Sequence, residues 1–392
     1  GDAVIDMANS LSTGPFDSIP RTARGHFLLH FYGAVLRLVQ YIERAKALGG
    51  GWPRRPGSRY PFLAHYRAEI DRFLPKELAD ADAVAWWEEQ IAAWQAQAAS
   101  HLPLANLERT PGVGSQGRAA FMLAGLVEED SRFGTVLAQL QEPLPGRRLA
   151  LGLVSQLLAE SSQAAEIDPW ETCRALFRMG AFEAANPAAP RSEWMLHVPS
   201  LVWDAARGSL DRVASGWCVA HTQSEFLPLD QLLLPGEFLE RLAQAPSLLQ
   251  DGKAKALVLR GTPGSERLQT AGATARAMQR QVIEIVPAPH PSVEGSEPHS
   301  AEEPRTQALA ALCILANALP LFSFDLGPGE TVSLPDVPGY GGPVIVLLGQ
   351  EGGLRGALAE QAMTLALPAP DLTLRQRCWQ SALGATPVEG LE

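Results

Sequence analysis

The stretch Leu257–Val258–Leu259–Arg260–Gly261–Thr262–Pro263–Gly264–Ser265–Glu266–Arg267–Leu268 decides how this chain folds. It opens on apolar residues, passes through a turn with two glycines and a proline, and leads into the alanine-rich run 271–278. A short apolar run bounded by turn residues reads as a buried strand, and the alanine-rich run reads as a helix. Further apolar strands are expected at 282–286, 319–324, 344–348 and 363–367, with a helix at 307–318. Strands alternating with helices imply a parallel sheet covered on both faces. The insertion 290–304, rich in Pro, Ser and Glu, reads as a loop or partly disordered segment.

The turn is laid out like the phosphate-binding pattern G-x-x-x-x-G-K-[ST]. There, backbone N–H groups curl around phosphates, the Lys reaches the β/γ-phosphates and the hydroxyl holds Mg²⁺. Gly261, Thr262, Pro263, Gly264 and Ser265 keep the outline, but Glu266 replaces the second Gly, Arg267 the Lys and Leu268 the Ser/Thr. Glu266 brings a carboxylate and a Cβ to where the backbone must approach an anion. Arg267 keeps the charge on a planar fork in place of a compact ammonium, and Leu268 cannot ligate a metal. Such a site is expected to bind ATP or ADP weakly or not at all, to hold no magnesium and to hydrolyse nothing. The third strand ends in Asp325, the position for a metal-side carboxylate, or simply a strand-end cap.

With these residues in view, the chain from 225 to 392 resembles an AAA+ ATPase core. The run Leu232–Leu233–Leu234–Pro235–Gly236–Glu237 stands where that family forms its adenine pocket. Asp325 matches its Walker B aspartate, but Leu326 follows where the family has a Glu, and Glu330 lies too far on. Gln350, after strand 344–348, occupies the place of a polar sensor residue. No Arg lies in 358–361, where arginine fingers occur, although Arg355 is a little upstream. The family's helical lid would follow, so the resemblance implies a degenerate P-loop core truncated before its lid. More narrowly, the layout is similar to the AAA+ ATPases of phage-tail-like contractile injection systems. It implies work in protein assembly, remodelling or interaction, with protein partners: further copies of a ring, or an intact ATPase module outside this chain. An active, divergent ATPase with Asp325 holding magnesium through water is one alternative, and a purely structural adaptor is another.

The front of the chain is helical. Apolar residues at helical spacing predict a helix over 21–48, ended by Gly49–Gly50–Gly51, and Pro53, Pro56 and Pro61 are expected to keep the next stretch non-helical. A second helix over 80–100 carries Trp86, Trp87 and Trp94 on one face, a packing stripe. Helices at 118–128, 131–141, 149–160 and 170–179, then strand-like pieces at 181–184 and 193–198, outline a winged-helix module. The expected fold is therefore mixed: an N-terminal helical region (1–102), a winged-helix-like helical domain (103–224) and the α/β core (225–392).

A net charge of −11 argues against nucleic acid or an anionic membrane as partner, since both would repel the chain at long range. The four cysteines are scattered with no C-x-x-C, which points to structural thiols, a reducing cytoplasm and no zinc. No basic-then-apolar leader opens the sequence, and no run of about 18 apolar residues is present to span a bilayer. His26 and His30 stand at i, i+4 like two metal ligands, but the Glu of H-E-x-x-H and a third ligand are missing, so core packing is the better reading. Gly112–Val113–Gly114–Ser115–Gln116–Gly117 imitates a dinucleotide turn with no strand before it, and reads as a loop and helix start. No G-x-S-x-G elbow supports serine catalysis.

Overall fold

The computed structural model describes residues 14–47, 60–159, 166–210, 216–262, 265–286, 307–369 and 372–383. The chain divides into two compact units, Gly1–Ser209 and Leu210–Glu392. The regions expected at 1–102 and 103–224 fall largely in one unit, because the first helix packs against helices on both sides of residue 102. Among the described residues, no helix is long and apolar enough to cross a membrane.

The helical unit is organised around α1 (Ala23–Ala47). Around it lie α2 (Pro61–Asp71), α3 (Ala83–Ala96), α4 (Pro103–Arg109), α5 (Gly114–Glu129), α6 (Phe133–Leu140), α7 (Leu151–Leu158), α8 (Pro169–Arg178) and α9 (Ser200–Ala206). Helix α2 corrects the expectation that Pro61 keeps its stretch non-helical. Pro61 opens that helix, and a first-turn N–H has no intrahelical acceptor to lose. Pro103 and Pro169 open α4 and α8 in the same way. The tryptophan stripe is packing: Trp87 and Trp94 are buried, and their indole N–H groups donate to the carbonyls of Leu29 (2.9 Å) and Ile19 (3.3 Å). Two short strands, β1 (Glu183–Ala184) and β2 (Leu196–His197), pair antiparallel, and Ala150 bridges to Met195 beside them.

The second unit is built on a six-stranded sheet. Its strands are β3 (Cys218–His221), β4 (Ala256–Arg260), β5 (Gln281–Ile285), β6 (Ala318–Phe324), β8 (Val344–Leu348) and β10 (Ala362–Ala366). They lie in the order β10-β4-β8-β6-β5-β3 and are parallel except for β3 at one edge. All five expected strands are present to within a residue or so at their ends. Strand β4 is hydrogen-bonded on both sides and buried on both faces, which is why it reads as an unbroken apolar run. Leu257 and Leu259 face a core shared with Ala271, Ala273 and Ala275 of α12 (Arg267–Ala277). Ala256 and Val258 alternate to the other face and are equally buried. Helices α10 (Gly236–Leu242) and α11 (Ala245–Gln250) precede β4, and α13 (Leu309–Leu315) packs against β6. The edge strand is pinned by His221, whose ring nitrogens meet Glu225 (3.1 Å) and Glu284 (2.9 Å).

Alanine and glycine on α12 allow other elements to come close. A Cβ on Gly272 would stand 2.1 Å from the ring of Phe226, which is buried against the helix. Gly272→Ala gains helix propensity of up to about 1 kcal/mol but forces the ring out of a filled core, which costs about 1–3 kcal/mol. We expect a net loss of stability in urea unfolding of the α/β unit, partly recovered when Phe226→Leu is added.

Candidate functional site

Loops leaving β4 and β8 depart in opposite directions along the sheet, β4 towards β5 and β8 towards β10. In open α/β sheets such a switch point, at the carboxyl ends of the strands, is where ligands bind. The residues singled out from the sequence gather there. Strand β4 delivers Gly261, Thr262, Ser265, Glu266, Arg267 and Leu268; β6 delivers Asp325; β8 delivers Gln350. Pro263 and Gly264 lie outside the described residues. Asp325 and Gln350 are exposed, and Asp325 Oδ1 lies 3.7 Å from where a Cβ on Gly349 would stand. The ends of β6 and β8 are therefore adjacent.

The described residues of the turn after β4 bond to one another and to β8. Gly261 N–H donates to the Leu348 carbonyl (3.1 Å), tying the turn to β8. The Ser265 N–H donates to the Thr262 carbonyl (3.0 Å) and the Arg267 N–H to the Ser265 carbonyl (2.7 Å). Two backbone donors near the start of α12 are thus satisfied by the chain itself. A Cβ on Gly261 would sit 2.6 Å from Ser265 Oγ and 3.3 Å from Arg267 Cγ, so glycine is needed there for close approach of the protein's own atoms. The Ser265 hydroxyl is buried and, among the described residues, has no hydrogen-bond partner. Glu266 is exposed at the helix start, where a carboxylate interacts well with the helix dipole and poorly with an arriving anion. Leu268 packs against the core instead of facing the loop.

Three features at the strand ends were not singled out from the sequence. Arg260, the last residue of β4, points its guanidinium at the carbonyls of Gly352 (3.0 Å), Gly349 and Gln350 (both 3.5 Å). A cation ending an otherwise apolar strand was the available signal, since a half-buried guanidinium needs acceptors. Leu326, the residue after Asp325, meets Gly352 so closely that a Cβ there would lie 2.4 Å from its own Cβ. Gly352 also adopts φ +81°, a conformation that favours glycine. Finally, β7 (Thr331–Ser333) and β9 (Gly353–Arg355) pair in parallel and join the loops leaving β6 and β8. Glu330 is occupied locally, accepting from the Gly327 N–H at 2.8 Å. Arg355 is exposed on β9, followed by the short helix α14 (Ala357–Glu360) and, after β10, by α15 (Leu372–Leu383).

The other constellations weighed in the sequence lie in the helical unit. Gly114 opens α5, so the glycine-rich run there is a loop and helix start, beside an open cavity of about 490 Å³ lined by Gln116, Glu166, Asp168 and Glu171. The side chain of Asp168 is engaged as the N-cap of α8. His26 and His30 are both buried in the core. Among the described residues, no group of three or more His, Cys, Asp or Glu side chains is placed to hold a metal ion. No protein-family model matches the chain, and no curated protein matches it.

Replacing Arg260 by Met leaves the carbonyls of the β8 loop without their donor. We expect Arg260→Met to lower the stability of the α/β unit by about 1–3 kcal/mol. Amide exchange should speed up at residues 349–353, as read by hydrogen-exchange mass spectrometry.

Proposed function

We propose that the α/β unit is a degenerate AAA+ core that serves protein assembly or interaction and does not hydrolyse ATP. The observation carrying this reading is that, after β4, the Ser265 and Arg267 N–H groups bond to neighbouring carbonyls of the same turn and Leu268 packs against the core. A phosphate cradle depends on such donors facing outward and on a hydroxyl for the metal. The ancestry is supported by the strand order. Numbering the five parallel strands by their place in the chain gives 5-1-4-3-2, the order AAA+ cores use, with a helix starting directly after the turn. Leu326 supports loss of turnover, because packing against Gly352 has taken the place of the carboxylate that polarises water.

The helical unit fits the same reading as an interaction module. After α5 and α6 come a bridging residue, two helices and two paired strands, the order of a winged helix. The outer face of α8 pairs Glu171 with Arg174 at 3.1 Å, so its charges are largely balanced, which suits a protein partner better than a phosphate backbone. Turnover, where the assembly needs it, would come from a separate ATPase module.

Calorimetry with ATP, with and without Mg²⁺, tests the proposal. We expect no magnesium-dependent binding at millimolar ATP and no phosphate release. Tight, magnesium-dependent binding with turnover would establish a divergent active ATPase instead. The triple variant Glu266→Gly, Arg267→Lys, Leu268→Thr is expected to raise ATP affinity tenfold or more, by restoring access and the metal hydroxyl. A triple variant binding no better than the parent would mean that the loop is not a former phosphate site.

A further inference from the structure

The helical unit buries a chain of titratable groups that the proposed function does not use. Arg118 of α5 is 4% exposed and donates to Glu88 of α3 and Glu108 of α4, both at 2.7 Å, and to Nδ1 of His30 on α1. His30 Nε2 lies 3.0 Å from His26 Nε2, and the His26 ring stacks on Trp94 with centroids 5.7 Å apart. Arg37 of α1 shares Glu88 at 3.4 Å, and Arg109 of α4 is held by Asn106 at 3.0 Å.

Hydrogen-bond chemistry fixes where the protons are. A guanidinium can only donate, so His30 Nδ1 accepts and its proton sits on Nε2. That N–H points at His26 Nε2, which must accept, so the His26 proton sits on Nδ1. His26 Nδ1 is buried and, among the described residues, has no partner. The side-chain amide of Gln95 reaches the same His26 Nε2 at 3.1 Å and donates when its NH₂ end is turned there. A second proton is opposed on either ring: on His26 it would set two N–H groups face to face, with only the Gln95 amide oxygen to accept it, and on His30 it would meet the Arg118 donor. Nor is there spare negative charge: Glu88 and Glu108 already face Arg118 and Arg37, with Arg109 a further cation.

We propose that this chain is an acid-sensitive lock: acidification loosens the helical unit at the α1–α3–α5 junction while the α/β unit stays closed. Burial, the dominant cause, holds His26 down at about 4 against an ordinary 6.5, and His30 well below the ordinary value, with Arg118 adding to both. Uptake of protons is therefore favoured in the opened state. The stability contributed by the neutral rings is complete above pH 6.5 and falls as pH drops toward 4. His221 in the other unit behaves oppositely. Its facing groups are Glu225, Glu284 and the Phe226 ring, and the hydrogen bond to Glu284 is the leading reason that its proton is held more tightly than usual. That contribution is complete below the ordinary value and is lost as pH rises through the raised one.

Hydrogen-exchange mass spectrometry on the full chain at pH 7 and pH 5, corrected for intrinsic rates, reads both units together. We expect protection in α1, α3 and α5 to fall tenfold or more at pH 5 while β4 and α12 keep theirs. In His26→Gln, whose amide oxygen still accepts from His30, the fall should shrink but persist, because His30 still takes up a proton on opening, and in the double variant His26→Gln, His30→Gln it should shrink below threefold. Nitrogen-15 spectra of histidine-labelled wild-type protein give a test independent of the variant. Neutral rings at pH 5.5, with the proton on Nε2 of His30 and Nδ1 of His26, are expected. Titration of either ring near its ordinary value, or an equal loss of protection in both units, would overturn the proposal.

Discussion

The α/β unit depends on one constraint: a central parallel strand must be hydrogen-bonded on both edges and covered on both faces. Strand β4 meets it by pairing with β10 and β8 and by packing Leu257 and Leu259 under α12. Helix α12 can lie close because its inner face is made of Ala271, Ala273, Ala275 and Gly272. The placement of α12 brings its first residues to the carboxyl ends of β4 and β8. The position of the candidate site thus follows from the packing of the sheet.

At that site the described side chains of the turn after β4 are engaged in packing. Gly261 admits Ser265 and Arg267 at close range. Leu268 contributes to the core, Leu326 closes on Gly352, and Arg260 bonds carbonyls of the β8 loop. These contacts draw the ends of β4, β6 and β8 together, although the buried Ser265 hydroxyl has no hydrogen-bond partner among the described residues. The helical unit makes a different use of polar groups, burying a connected network in which, among the described residues, His26 Nδ1 and Arg37 Nε are left without partners. Such networks specify one packing arrangement and are sensitive to a single added proton.

Much of the α/β architecture was legible in the sequence, because buried parallel strands are continuous apolar runs and the turn residues between them are distinctive. The helical unit was legible in its long elements, α1, α3 and α5, where helical periodicity extends over several turns. Short elements opened by proline were harder to see: Pro61 and Pro103 look like breakers until the chain around them shows that each starts a helix. The site residues Asp325 and Gln350 were placed correctly at strand ends by pattern alone. The partners of Arg260 and the Leu326–Gly352 contact were not, since nothing local shows that residues 92 apart, as Arg260 and Gly352 are, or 26 apart, as Leu326 and Gly352 are, will touch.

The sequence by itself determined the mixed α/β class of fold, the strand-turn-helix at 257–268 and the presence of Glu266, Arg267 and Leu268 where a phosphate loop would need a glycine, a lysine and a hydroxyl. These are local properties of residue type and spacing. Only the tertiary structure decided that the helices before residue 209 form one unit around α1, that the Ser265 and Arg267 N–H groups bond within their own turn, and that β7 and β9 join the loops beyond β6 and β8. Each of these depends on which distant backbone and side-chain groups satisfy one another, and hydrogen-bond satisfaction in a packed interior is a property of the whole fold.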